Sequence, residues 1–240
     1  MVRLPKSFWL IAPFATWMVL MAVLPATTGA YAIRTAVVAA LLAAGWWQGR
    51  RTLDLRRKRD RSSDASSVQE PDVSSPLKSD VSSPLKSHVS SPLRSFVSRL
   101  KSSLLPGLVV GLAVFAIWIL PEQFDWAWYR RFCIIGEGGT QAVAEASAVM
   151  IAIRLIGSAF VISVAEELFF RKWLISFAGF WPMVALFAVE HDRWFVAAIC
   201  GVAYGWLYLR RGLCAASVAH ATTNLILGLW VIRTGQWQFW

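Results

Sequence analysis

The stretch LLPGLVVGLAVFAIWIL, residues 104–120, decides the class of this chain. Its seventeen residues include no charged side chain. A helix that crosses the hydrocarbon core of a bilayer needs about 17–25 mainly apolar residues. Apolar runs of similar length lie at 8–25, 32–48 and 213–232. The chain as a whole is 57% apolar and 16% charged, whereas an ordinary soluble domain has about 25% charged residues. The runs predict a polytopic helical membrane protein.

The overall composition excludes several other classes of protein. The mean hydropathy is +0.52, and the apolar residues stand in long runs rather than at scattered core positions. A disordered chain, a collagen-like chain and a disulfide scaffold are therefore excluded, and a soluble enzyme with one buried core is disfavoured. The three cysteines are odd in number and include no CxxC pair, which argues against a disulfide framework or a cysteine-rich zinc site. We therefore interpret Cys133, Cys200 and Cys214 as small apolar residues.

Residues 1–48 are predicted to form an N-terminal transmembrane hairpin. A cleaved signal peptide is the alternative, because LPATTGAYA at 24–32 offers the small residues that a cleavage site needs. The second apolar run at 32–48 follows the first at once, which favours two retained spans.

Residues 49–103 are predicted to be a disordered basic loop rich in Ser and Pro. The loop holds twelve of the 24 Lys and Arg residues and six of the 14 Asp and Glu residues. It contains three similar octads: VSSPLKSD at 73–80, VSSPLKSH at 81–88 and VSSPLRSF at 89–96. A proline in every octad opposes helix formation, and few large apolar groups offset the entropy of ordering. A docking or phosphorylation segment is the alternative interpretation.

Residues 104–240 are predicted to form a transmembrane core. Helices are expected at 104–120, 141–177, 182–190, 194–209 and 213–232. With the hairpin, these make about six full spans and one short segment, so the predicted fold is an all-α bundle of about six to eight spans.

The distribution of Lys and Arg predicts the orientation of the bundle. The basic loop, the pair at 171–172 and the pair at 210–211 are expected to face the cytoplasm, with the N-terminus on the same side. A basic loop between spans indicates membrane topology rather than a nucleic-acid partner. The predicted location is a bacterial inner membrane.

The last third of the chain concentrates polar side chains within predicted spans. An ionised side chain in hydrocarbon costs at least about 2.5–3.5 kcal/mol on insertion scales, so such residues are functional candidates. The set comprises Arg154, Glu166, Glu167, Arg171, Glu190, His191, His220 and Asn224.

The two adjacent glutamates differ in their local surroundings. Glu167 and Arg171 are four residues apart, so they share a helix face and can pair. Glu166 is rotated by about 100° and has no sequence-local cation. An uncompensated carboxylate in a low-dielectric site can act as a general base, so Glu166 is the candidate general base. A purely structural ion pair is the alternative for Glu167 and Arg171.

The predicted turns bring later polar residues to the depth of Glu166. If the chain turns near Gly179, Glu166 precedes the turn by 13 residues and His191 follows it by 12. His220 and Asn224 are four residues apart and face one way on the last span. These residues can line one cavity, which we expect to open to the cytoplasm. Taken singly, a histidine in a span is more often an interhelical hydrogen bonder than a catalyst.

Three motifs in this region resemble those of a known family. They are EExxxR at Glu166, Glu167 and Arg171, FxxxH at Phe187 and His191, and HxxxN at His220 and Asn224. In this order, over about 145–232, they resemble the CAAX protease and bacteriocin-processing membrane proteases, also called the Abi family. The closing region, from EHDRW onward, also resembles a bacterial subgroup found with exosortase protein-sorting systems.

The resemblance implies an intramembrane glutamic endopeptidase that needs no metal. By analogy, Glu166 and His191 would activate a water, and His220 and Asn224 would hydrogen-bond the developing oxyanion. Glu167 and Arg171 would support the first motif. The implied partners are the lipid bilayer and a membrane-associated or lipid-anchored peptide substrate.

Three alternatives remain open at this point. Glu166, His191 and His220 could bind Zn²⁺ with a water as fourth ligand, although HExxH is absent. A non-proteolytic scaffold or immunity protein would keep its function without Glu166. A transporter could use the same groups as proton relays, but no inverted repeat supports it.

Overall fold

The protein is described by a computed structural model that covers residues 4–66, 92–135 and 147–239. Within these ranges the chain forms helices and turns and no strand. The helices are α1 Lys6–Val23, α2 Thr28–Ser66, α3 Pro92–Gln123, α4 Ala127–Cys133, α5 Ala148–Ala178, α6 Phe180–Val189, α7 Trp194–Arg211 and α8 Leu213–Thr234. A 3₁₀ turn, Trp237–Phe239, follows α8. The predicted all-α helical bundle is confirmed.

Five of these helices are long and apolar enough to cross a membrane. They are α1, α2 over Gly29–Thr52, α3 over Ser102–Gln123, α5 and α8. Helix α7, which the sequence predicts as a sixth span, is not among them, since its 18 residues end in two arginines that lower the mean hydropathy. Helix α6 is the predicted short apolar segment, with ten residues. The chain is an integral membrane protein.

Both flanks of the segment 49–103, which the sequence predicts to be disordered, are helical in the structure. Helix α2 continues through 49–66, and α3 already begins at Pro92. The prediction is wrong for these flanks because each flank extends a helix that the bilayer already orders, so no new nucleus is needed. Proline is tolerated at a first helical position, which allows α3 to start within the third octad. The first two octads lie outside the described residues.

Helix α5 carries the first motif, and its winding is irregular there. Two stretches, Gly157–Ile162 and Glu167–Leu174, are π-helical, and Ser163–Glu166 between them is α-helical. Such wide turns are frequent at functional sites. Helix α5 ends at Gly179, whose φ of 94° favours glycine and lets α6 fold back.

Helices α3 and α8 run parallel and in close contact. Gly107 lies against Val218, and Gly111 lies against the carbonyl of Ala219 and the side chain of Thr222. Small residues allow two membrane helices to approach closely, and the pair forms the most extensive helix contact in the described bundle.

Replacing Gly111 with Val is expected to destabilise the bundle by about 1–3 kcal/mol, because a new Cβ would lie 2.6 Å from the Ala219 carbonyl oxygen. The measurement is unfolding of the purified protein by SDS titration in mixed micelles. Gly49→Val on α2 is the matched control, since no atom lies within 4 Å of its added Cβ. Equal stability of the two variants would contradict the close packing.

The helix directions define two ends of the bundle. We call the end at which α7 finishes and α8 starts the basic end, because it holds Arg210 and Arg211. The parallel pairing places the start of the α3 span at this end as well, and Gly205 of α7 contacts Phe180 just after α5 ends. The sequence predicts that Arg171 faces the cytoplasm, but its side chain is fully buried within the bundle.

Candidate active site

A cavity of about 190 Å³ lies inside the bundle. Its walls come from α3, α5, α6, α7, α8 and the 3₁₀ turn, and it is lined by Trp118, Ser158, Glu166, Phe187, His191, Cys200, Tyr204, His220, Thr223, Asn224, Leu227 and Phe239. The four residues that the sequence places in a catalytic set, Glu166, His191, His220 and Asn224, all line this cavity. The structure therefore brings together groups from α5, α8 and the turn after α6.

The Glu167–Arg171 pair forms as the spacing predicts. The two charged groups are 3.1 Å apart, and both side chains are fully buried. The Arg171 guanidinium also lies over the rings of Phe187, at 4.2 Å, and Tyr204, at 5.3 Å. A desolvated cation gains from aromatic faces, and breaking a buried pair leaves an uncompensated charge, so this group anchors the site.

His220 connects the two glutamates, which the sequence interpretation did not include. Its Nδ1–H donates to Glu167 Oε1 at 2.9 Å, and its Nε2 lies 3.7 Å from Glu166 Oε2. The imidazole stacks on the ring of Tyr204, with centroids 4.9 Å apart. Tyr204 in turn shares a hydrogen bond of 2.7 Å with Thr223. Glu167 thus orients a cavity residue in addition to holding Arg171.

Glu166 keeps one oxygen available for chemistry. Its side chain is 10% exposed, and Oε2 is buried without a hydrogen bond among the described residues. The nearest nitrogen of His220, Nε2, lies 3.7 Å from this oxygen, which is beyond hydrogen-bond distance. A buried carboxylate oxygen without a partner is costly unless a water or a ligand occupies the space beside it. The cavity supplies that space.

His191 presents a defined tautomer. Its Nδ1 lies 2.8 Å from the carbonyl oxygen of Phe187, and because a carbonyl only accepts, the ring donates from Nδ1. In the neutral ring Nε2 is then the acceptor. The ring is held against Phe187, at 4.7 Å, and Trp118, at 5.7 Å.

Asn224 is fixed by one of its two N–H groups. Its Nδ2 donates to the carbonyl of Ser158 at 3.1 Å, in the π-helical part of α5. An amide nitrogen carries two donors, so one remains for a ligand in the cavity. The Ser163 hydroxyl donates to the Ala159 carbonyl, and Ser163 does not line the cavity.

Sequence reasoning missed several cavity residues. Trp118 and Tyr204 belong to apolar spans, and Phe239 comes from a turn after the last span, so no local pattern distinguishes them from lipid-facing aromatics. The Trp118 Nε1 atom is buried and makes no hydrogen bond with the described residues. Only the tertiary fold reveals that these side chains share a cavity with Glu166.

The zinc alternative requires three ligands that can reach one ion. Among residues 4–66, 92–135 and 147–239, no three His, Cys, Asp or Glu side chains lie close enough together to hold one ion. Glu166, His191 and His220 line the same cavity without forming such a cluster.

Comparison with known proteins identifies the region that carries the site. Residues 148–226 match a family model described as type II CAAX prenyl endopeptidase Rce1-like. The matched range extends from the start of α5 into α8 and includes all three motifs. No curated protein and no solved structure matches the chain.

Proposed function

Because residues 148–226 match the model of the type II CAAX prenyl endopeptidase family, we propose that this membrane protein is a glutamic endopeptidase that hydrolyses a peptide bond within or beside the bilayer. The observation that carries the proposal is the convergence of Glu166, His191, His220 and Asn224 on one cavity. Amide hydrolysis needs a base, oxyanion donors and a controlled water, and this set can provide each of them.

The first step is activation of water. Glu166 accepts a proton from the water through its free oxygen, while His191 Nε2 accepts a hydrogen bond from the other O–H and orients it. The oxygen attacks the carbonyl carbon of the substrate and forms a C–O bond. The proton that Glu166 has taken passes to the leaving nitrogen as the C–N bond breaks, so the carboxylate is regenerated.

The second requirement is stabilisation of the oxyanion. Asn224 offers its remaining N–H. His220 offers Nε2–H when both ring nitrogens are protonated, a form that Glu167 stabilises at Nδ1. Donors fixed before the reaction contribute most in a site with little access to water.

We propose that the reaction uses no metal and that the substrate is a membrane-associated or lipid-anchored peptide. The family description refers to prenylated substrates for its own members. For this chain, the location of the cavity among membrane helices supports a substrate that the bilayer delivers. Loss of cleavage with chelators, restored by Zn²⁺, would favour the zinc alternative instead. The exosortase-associated subgroup remains a prediction from sequence.

The proposed location is a bacterial inner membrane with the basic end in the cytoplasm. The concentration of Lys and Arg in residues 49–103 supports this orientation.

Cells that express the wild type are expected to contain new membrane-protein termini that are missing from cells with Glu166→Gln, because that variant lacks the proposed base. Quantitative mass spectrometry of N- and C-terminal peptides from isolated membranes measures the difference. Both proteins must be present in the membrane at equal amounts, which an epitope tag verifies. Identical termini in the two strains, with a preserved biological effect, would favour a non-proteolytic scaffold or immunity protein.

A further inference from the structure

We propose that the substrate reaches Glu166 from the end of the bundle opposite the basic end, past the 3₁₀ turn Trp237–Phe239. This inference rests on the proposed function and adds the route and side of substrate delivery. It differs from the expectation, drawn from sequence, that the cavity opens to the cytoplasm.

The depth of the lining residues gives the direction of the cavity. Helix α8 starts at the basic end with Leu213, and at about 1.5 Å per residue His220 lies about 10 Å and Leu227 about 21 Å along it. Trp118 lies five residues before Gln123, where the parallel helix α3 finishes. All three side chains line the cavity. The space therefore extends from the carboxylates toward the opposite end.

The basic side of the carboxylates is closed by packed side chains. Along α5, Arg171 and Leu174 follow Glu166 toward the basic end, and they are 0% and 3% exposed. Met183 of α6 and Leu207 of α7 fill the adjoining space and are also buried. A path from the basic end would have to displace these side chains together with the Glu167–Arg171 ion pair.

Among the described residues that line the cavity, Phe239 of the 3₁₀ turn lies toward the opposite end. Phe239 lines the cavity, and the Arg193 guanidinium lies 4.9 Å from its ring. Arg193 is itself held by an ion pair with Glu122. The turn is tied to α3 by an exposed hydrogen bond of 2.7 Å from Gln123 to Gln236. Displacing Phe239 would break apolar contacts with Ile119, Leu227 and Val231, but it would leave the Arg193–Glu122 ion pair in place.

The route also specifies the substrate. Since Lys and Arg mark the cytoplasmic side of membrane proteins, the opposite end faces the extracytoplasmic side. Trp118, Leu227 and Phe239 give the passage apolar walls. The geometry therefore fits an extended peptide segment at the extracytoplasmic face of a membrane-anchored protein, with apolar residues next to the cleaved bond.

Thiol labelling from one side of the membrane tests this route. One protein carries Leu227→Cys with Cys133, Cys200 and Cys214 replaced by Ser, and the reference protein keeps Cys214 as its only cysteine. Cys214 is exposed at the start of α8, so it reports the basic end. Spheroplasts of a bacterial expression host are treated with a small membrane-impermeant methanethiosulfonate, before and after permeabilisation.

The expected result is modification of Leu227→Cys in intact spheroplasts and of Cys214 only after permeabilisation. Adding Phe239→Ala should raise the rate of Leu227→Cys modification about tenfold, since the reaction follows the population in which the turn is open. Cys200, which lines the same cavity, serves as a second reporter when Cys133 and Cys214 are replaced.

Two results would overturn the route. One is modification of the Leu227→Cys protein under the same conditions as Cys214, and the other is no modification in either preparation even with Phe239→Ala. Labelling does not require cleavage, so it is separable from the proposed function. An accessible cavity in a protein without proteolytic activity would contradict the proposed function alone.

Discussion

Replacing Glu166 with Gln is expected to lower the rate of peptide cleavage by about 100- to 10,000-fold, the range that general-base catalysis contributes. Glutamine keeps the shape of the side chain but cannot take a proton from water. The measurement is single-turnover cleavage, by the purified protein in lipid vesicles, of a peptide that contains the site found by the comparison of termini. Unfolding in SDS should change little, since Oε2 of Glu166 makes no hydrogen bond with the described residues.

Glu190→Gln is the matched control for this experiment. Glu190 is a second half-buried carboxylate in the same third of the chain, and it does not line the cavity. Its variant should lose far less activity than Glu166→Gln, because Glu190 does not line the cavity in which the water would be activated. Equal losses in the two variants would indicate that the activity depends on the total charge of the region rather than on a base at position 166.

The sequence predicts those parts of the site that depend on helical spacing. Glu167 and Arg171 pair because four residues separate them, and this spacing survives even though the backbone there is π-helical. The cavity also contains His191 and His220 as predicted, because the turns at Gly179 and Gly212 set the depth of the following helices. Periodicity and turn position are both visible in a single sequence.

Contacts across the bundle could not be predicted in the same way. The hydrogen bond from His220 to Glu167 joins residues 53 positions apart, and it depends on how α8 is rotated against α5. Neither rotation nor the wide turns of α5 leave a local signal. Likewise, the closing role of Phe239 depends on the fold of a turn that follows the last span.

The ends of the helices flanking the basic loop illustrate a different limit. Composition indicates how residues 49–66 would behave in isolation, where charge and the scarcity of apolar groups favour disorder. In the protein they continue a helix that the membrane span has already nucleated. The composition of residues 49–66 alone therefore does not predict that they are helical, because the preceding span nucleates the helix.

Replacing Glu167 with Gln is expected to destabilise the folded protein by about 3–5 kcal/mol, because it leaves Arg171 as a buried cation without its carboxylate. This is the largest effect on stability that we expect from a single substitution in the site. SDS titration in mixed micelles gives the free energy of unfolding. Lys172→Met is the matched control, since Lys172 is the exposed neighbour of Arg171 and its loss should change stability by less than about 0.5 kcal/mol.

The double variant Glu167→Gln/Arg171→Met separates the anchoring role of this pair from its role in catalysis. Removing both charges should recover most of the lost stability, because a buried pair can often be replaced by uncharged groups without a net cost. Cleavage should remain impaired, since a glutamine at 167 can accept from His220 Nδ1 but cannot stabilise the doubly protonated ring. Recovery of full activity together with stability would mean that Glu167 supports the fold alone. A double variant as unstable as Glu167→Gln would instead show that the weaker hydrogen bond to His220, rather than the uncompensated charge of Arg171, sets the energetic cost.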